Sequence, residues 1–407
     1  MNTRLCALKH EAGKPRNLPA GKPALRNADI RVGRSGDFPV SRSSPCLHPA
    51  WSLLFLCCLI FAACCFSASA ADRVGTHLTK PDAWFHSAEA ARVTENVLSW
   101  QAETGGWPKN TDTTKPFTGE RAKLQGTFDN SATTDELRFL ARLIRAPDAS
   151  AARSASNAFT RGLAHILTTQ YTNGGWPQYA PPPANKYHRH ITFNDGSMAR
   201  LMTFLREVAT EKRYEFVQPV QRAAAQRAFN LGVDCILRCQ IKVNGRLTAW
   251  CAQHDEIDFS PRPARTFELA SLSGSESVGL TRLLMSIENP SPKIVRAVDA
   301  AVAWLESAKI SGIELVETRD ADGRKDKVVK NNPAARPMWA CFYEIESGKP
   351  IFAGRDGVKK QSLAEIEIER RTGYSWLGFW PETLLEKDYP KWKQQNTKHQ
   401  APNNNRR

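Results

Sequence analysis

Between residues 85 and 310 apolar side chains return every three or four positions over most of the chain, the period of helices that bury one face. Two segments carry the pattern most clearly: residues 134–144, with Leu137, Phe139, Leu140, Leu143 and Ile144, and residues 198–205, with Leu201, Met202, Phe204 and Leu205. Both predict amphipathic helices. Alternation with a period of two is scarce and predicts only short strand pairs, near Gly245 to Trp250 and Ile313 to Arg319.

The helical pattern repeats. Gln101 followed by Gly105-Gly106-Trp107-Pro108-Lys109 is answered by Gln170 followed by Gly174-Gly175-Trp176-Pro177-Gln178. Each Gln follows a helical segment and each Trp-Pro opens a polar loop. The chain then returns as Thr127-Phe128-Asp129-Asn130 or Thr192-Phe193-Asn194-Asp195 ahead of a second helix. A degenerate third copy runs through Cys235, Gln240, Asn244-Gly245, Trp250 and Thr266-Phe267-Glu268 to a helix around Glu276 to Met285. Helical hairpins recurring in this way stack as a solenoid or close into a ring. Convergence of the polar loops at one end favours an α/α toroid, so the fold class is mainly α with a few short strands. The indole of each Gly-Gly-Trp reads as a buried staple of a tight turn rather than as a substrate contact.

Composition narrows the class. With 41% apolar and 24% charged residues, 25 Pro and 24 Gly in 407 residues, the chain is globular rather than disordered or collagen-like. Residues 51–70 are uncharged, apolar from Leu53 to Phe66, and end in Ala68-Ser69-Ala70, the pattern of a signal peptide. A retained membrane anchor would need about 20 apolar residues, and Phe61-Ala62-Ala63-Cys64 admits lipoprotein cleavage as an alternative. Residues 1–50, with nine Lys/Arg against three Asp/Glu, read as an unstructured extension; a start nearer Val40 is a hypothesis. The mature part from residue 71 keeps 47 Lys/Arg against 38 Asp/Glu, a net +9, which suits an acidic polymer as partner. It divides into a catalytic domain over 71–386 and a frayed basic tail over 387–407. Six of ten Cys precede residue 71, and the remaining Cys235, Cys239, Cys251 and Cys341 read as buried thiols rather than a disulfide framework or a zinc site.

Candidate chemistry lies in the loops. Asp129 and Asp195 stand at equivalent places in two repeats, each beside an amide, Asn130 or Asn194. A lone Asp there is ordinarily a helix cap. The third copy adds Gln253-His254-Asp255-Glu256, Arg265 and Glu268, bringing acids and an Arg to the same end. Two carboxylates with neighbouring amide oxygens suit Ca²⁺, and equally suit the acid and base of glycoside hydrolysis. Aromatic residues mixed with Arg around Arg336, Cys341, Arg355 and residues 369–376 suit an anionic carbohydrate.

Taken in order, Gly105 to Asn110, Gly174 to Gln178, Ile191 to Met198, Pro263 to Glu268, Gly354 to Gly357 and Arg370 to Tyr374 resemble the motifs of polysaccharide lyase family 10, the toroidal pectate lyases, over roughly residues 80 to 382. The resemblance implies an (α/α)₃ toroid, while the signal-peptide pattern predicts a secreted or periplasmic protein, expected to be a monomer. The resemblance also implies Ca²⁺-assisted β-elimination of polygalacturonate, giving 4,5-unsaturated oligogalacturonides. It implies Arg265 as catalytic base, Asp195 and Asp129 at the metal, and Lys109, Asn130, Asp129 and Arg355 on the substrate. An Arg base must lose a proton, so nearby cations, Arg355 and Ca²⁺, are expected to depress its pKa and to give an alkaline optimum. One departure stands out: Cys341 occupies a place that is usually Arg, and Arg336 is a candidate to compensate. An inverting glycoside hydrolase on an acidic polysaccharide and a noncatalytic pectin-binding homologue remain the alternatives. Nucleic-acid recognition patterns are absent.

Overall fold

The computed structural model describes residues 73–146 and 151–400. The segments read above as an extension and a signal peptide, and the last seven residues, lie outside them.

Ten α-helices occur among the described residues: α1 (Arg73–His77), α2 (Ala88–Ser99), α3 (Thr134–Ile144), α4 (Ala152–Thr169), α5 (Ser197–Thr210), α6 (Pro219–Cys239), α7 (Glu276–Met285), α8 (Pro292–Ser307), α9 (Ile368–Thr372) and α10 (Tyr389–Gln400). α3 packs on α4, α5 on α6 and α7 on α8, while α3, α5 and α7 also touch in sequence to form one layer. α4 and α6 bury a single stripe each. Ala155, Ala158, Phe159, Gly162, Leu163 and Ile166 line one; Ala225, Ala228, Phe229, Gly232, Val233 and Ile236 line the other. Every member of the second stripe lies seventy positions after its counterpart, so the repeat seen in the loops extends into the packing. This is a toroid of repeated helical hairpins, as the repeats predict.

The Gly-Gly-Trp turns show why those residues recur. Gly105 and Gly174 adopt φ of +105° and +93°, and a Cβ there would come within 2.6 Å of the Arg161 carbonyl oxygen and 2.1 Å of the Leu231 carbonyl oxygen. The Trp side chains are fully buried. Trp107, Trp176 and Trp250 donate their indole N–H to the carbonyls of Val97, Ile166 and Ile236, at 2.7, 2.9 and 2.8 Å. Trp339 does the same to Leu305 at 2.8 Å. That fourth staple is not legible in the sequence, because no Gly-Gly precedes the Trp and Pro337 stands before it rather than after it. The three Gln residues bridge neighbours: each amide donates to its own loop and to a carbonyl of the next outer helix. Gln101 reaches Ala158, Gln170 reaches Ala228 and Gln240 reaches Ala297.

Two-residue strands zip the loops of successive repeats together. Gly126–Thr127 pairs with Tyr179–Ala180, Ile191–Thr192 with Gln253–His254, and Leu272–Ser273 with Phe342–Tyr343. The loops therefore gather where α3, α5 and α7 begin. The two expected strand pairs are present: Lys242–Val243 with Arg246–Leu247, and Ile313–Arg319 with Lys325–Asn331. The basic tail differs from expectation, since residues 389–400 form α10. Its Tyr389 and Lys393 bind Asp299 of α8, and Trp392 is buried. An indole and a charge partner on α8 hold a segment whose composition reads as frayed. All four described Cys are buried and free.

Candidate active site

The turns ahead of α3 and α5 are built alike, and the structure corrects their alignment by one residue. Asn130 and Asp195 hold the left-handed position, with φ of +52° and +51°. Asp129 and Asn194 precede them and are buried. Carboxylate and amide are therefore exchanged between the two turns, one acid pointing inward and the other outward. Neither Asp caps its helix: Thr133 and Gly196 occupy those positions without a side-chain cap.

Asp129 is 1% exposed. Its Oδ2 receives the Lys109 ammonium and the Gln178 amide, the latter at 2.7 Å, while its Oδ1 is buried with no hydrogen-bond partner. Lys109 and Gln178 fill the same position of the first two repeats, so two repeats converge on one carboxylate. Burial works against the Lys109 charge, but Asp129 outweighs it and the ammonium is held above its ordinary pKa. Asn130 is tied to Asn110 at 3.0 Å.

Asp195 is held at two points. Its C=O accepts from Arg200 and its Oδ2 accepts from Asn194 at 2.7 Å, and its turn packs against the start of α7, where Glu276 stands. The residue presents surface to solvent, yet being surrounded by protein raises its pKa, with the Asp129 charge adding to the effect. Burial, then Asp195, push Glu276 up to about 8. Like charge from a neighbouring repeat thus adds to burial at both Asp195 and Glu276, while Arg200 acts against it.

Arg265 faces the same cluster and enters the electrostatics of Asp195 and of Tyr187, which also feels Lys109. Its Nε and Nη2 donate to the two oxygens of Glu268, at 2.7 and 2.5 Å. Tyr374 donates to the same carboxylate at 3.1 Å. The Arg265, Arg355 and Arg370 guanidinium carbons lie 4.8, 5.6 and 4.7 Å from the centre of the Phe267 ring, so the three share one aromatic partner. Glu369 neutralises Arg355 and Arg370. The expected depression of the Arg265 pKa by Arg355 is not found: among the protein's own groups the Glu268 hydrogen bond raises it, against desolvation. The side chain is 47% exposed, so solvent screening trims that effect without changing its sign.

Cys341 is buried, which pushes its thiol pKa up, and it lies beside Tyr374. Arg336 is engaged elsewhere, paired with Glu382 at 2.7 Å and stacked 3.5 Å from Phe379. The acids of the third copy also depart from expectation. Asp255 pairs with Arg262, and Glu256 with Arg189 and His190. His190, Asp255 and Glu256 have ligand atoms within 4.8 Å of one another, the geometry of a metal-binding trio, but these ion pairs already occupy it. Gln178, Glu276 and Tyr374 are members of the site to which the sequence reading gives no role of their own. The repeat position of Gln178 and the helix start at Glu276 are the signals that find them.

A toroid of helical hairpins with acids, guanidinium groups and aromatic rings at its loop end is the architecture of a polysaccharide lyase. A family model described as pectic acid lyase matches residues 101–385, and the chain belongs to that family. The chain is similar to the solved family 10 polysaccharide lyase from Cellvibrio cellulosa at 35% identity, covering 76% of this chain and 95% of that one, with a TM-score of 0.65. It is similar also to a mutant of that lyase in complex with trigalacturonic acid, at 34% identity, 76% and 96% coverage and a TM-score of 0.65. Among curated proteins nothing matches. The family places this enzyme with the lyases, not with the hydrolases. No helix of the described residues is long and apolar enough to cross a membrane.

Proposed function

We propose that this chain is an exported, monomeric pectate lyase that cleaves polygalacturonate by β-elimination, with Arg265 as the base. The observation that supports this most is the convergence of Asp129, Asp195, Lys109 and Arg265 on one charged cluster from three successive repeats. The lyase with trigalacturonic acid bound supports the substrate class.

The donors suit a calcium ion. Asp129 Oδ1 has no partner, and burial first and the Asp129 charge second raise the pKa of Asp195, a state that a facing cation would relieve. Asp195 and Asp129 would hold it, and its charge would offset the uronate carboxylate, making the C5 proton more acidic. Lys109, Asn130 and Arg355 bind and orient the polymer. Arg265 takes the C5 proton, the C5–H electron pair forms the C4=C5 double bond, and the C4–O bond breaks with its electrons on the leaving oxygen, which takes a proton from water. A guanidine becomes a base only when neutral, and the Glu268 pair resists that, so activity rises toward alkaline pH. Signal cleavage near residue 70 would release the enzyme to a periplasm or the exterior.

The test is ultraviolet absorbance of the conjugated C4=C5 uronide when the purified protein meets polygalacturonate, with calcium and with a chelator. A calcium-dependent rise is expected. New reducing ends without absorbance would overturn the reading, as would binding of polymer without cleavage.

A further inference from the structure

Glu268 lies three residues after Arg265 across a tight turn closed by the Glu268 N–H donating to the Arg265 carbonyl at 2.7 Å. The turn presents both side chains to the same face. The carboxylate takes Nε and Nη2 of the guanidinium side-on and also accepts the Arg265 backbone N–H at 3.1 Å. Nη1 makes no hydrogen bond among the described residues. Glu268 itself is 4% exposed, so this is a built contact and not a surface ion pair. Tyr374 fixes its Oε1 from the other side.

We infer that Glu268 is the positioning residue of the reaction: by holding Nε and Nη2 it fixes the guanidinium plane and leaves Nη1 as the one nitrogen turned toward the C5 proton. The inference rests on the proposed lyase chemistry. The same contact has a cost, because a carboxylate on two nitrogens favours the charged guanidinium. The orientation that makes Arg265 useful therefore also moves its working range to higher pH. The other groups that face Arg265 are Tyr187 and Tyr374 (phenols), Asp195 (a carboxylate), and Arg355 and Arg370 across Phe267. None of them makes a hydrogen bond to its guanidinium, so Glu268 dominates both orientation and charge.

Positioning and charge separate in two variants. Glu268→Asp keeps the charge but retracts the carboxylate by one methylene. It should lower kcat by about 100-fold, the scale of a misplacement near 1 Å, with KM within threefold and the alkaline rise where it was. Glu268→Gln removes the charge, so kcat should fall similarly while the alkaline rise moves to lower pH by about one unit or more. Melting curves confirm that each variant folds. Wild-type kcat in Glu268→Asp overturns the assignment, even if Glu268→Gln fails to fold, and so does an unshifted pH profile in a folded Glu268→Gln. Arg265→Ala is the control for the underlying chemistry. If it retains wild-type formation of unsaturated product, the lyase reading with Arg265 as base fails, whatever the Glu268 variants do.

Discussion

The left-handed turn at Asp195 packs against the start of α7, which sets Glu276, the first residue of that helix, beside it. The Glu276 carboxylate thus stands near Asp195 in an enclosed place. Burial first, and Asp195 second, raise the Glu276 pKa from 4.5 to about 8.

Stability without calcium therefore depends on pH. An acid whose folded pKa is raised is bound more tightly by its proton in the folded state, so its contribution is fully present below pH 4.5. It is lost as pH rises through about 8. In chelator, the melting temperature of the wild-type protein should fall relative to Glu276→Gln between pH 5 and pH 9. Parallel curves would show that Glu276 titrates normally.

Lys109 neutralises a carboxylate that is otherwise sealed from water. Lys109→Met should cost about 3 kcal/mol in denaturant titrations, because it leaves Asp129 charged and buried. Adding Asp129→Asn should restore most of that loss, since a neutral amide needs no cation. If the two losses simply add, the pair is not coupled.

The indole staples carry a graded prediction. Trp176→Phe keeps the ring and loses the bond to Ile166, worth about 1 kcal/mol. Trp176→Ala leaves a cavity in a fully buried site and should cost about 3–5 kcal/mol. Equal effects of the two would mean that the hydrogen bond, not the packing, carries the turn.

Arg336 binds Glu382 and Phe379 instead of the cluster that holds Arg265. Arg336→Ala should leave KM for polygalacturonate within twofold. A tenfold rise would restore Arg336 as the substitute for the guanidinium that Cys341 lacks.

How much of this is written in the sequence follows from what each signal encodes. Helices α3 and α5 are legible because their apolar period is strict, and Gly-Gly-Trp is legible because Gly105 and Gly174 answer a steric demand that no other residue meets. Asp129 and Asp195 are legible as acids but not as inward and outward ones, since that depends on which of two adjacent residues takes φ near +50°. The Arg265 pKa is misjudged from sequence because Arg355 and Glu268 are both near in the motif order. Only the turn geometry shows that the carboxylate, not the second Arg, touches the guanidinium. Asp255 and Glu256 look catalytic by composition, and only the positions of Arg189 and Arg262 show them to be spent on each other's loops.

The Gln bridges place each hairpin's closing bond on its neighbour, since Gln101, Gln170 and Gln240 each reach a helix that belongs to the following unit. A hairpin excised from the ring would carry an amide with nothing to grip and a helix carbonyl with nothing gripping it. The ring thus melts as a whole, and a protease that nicks one loop gains no stable fragment to release.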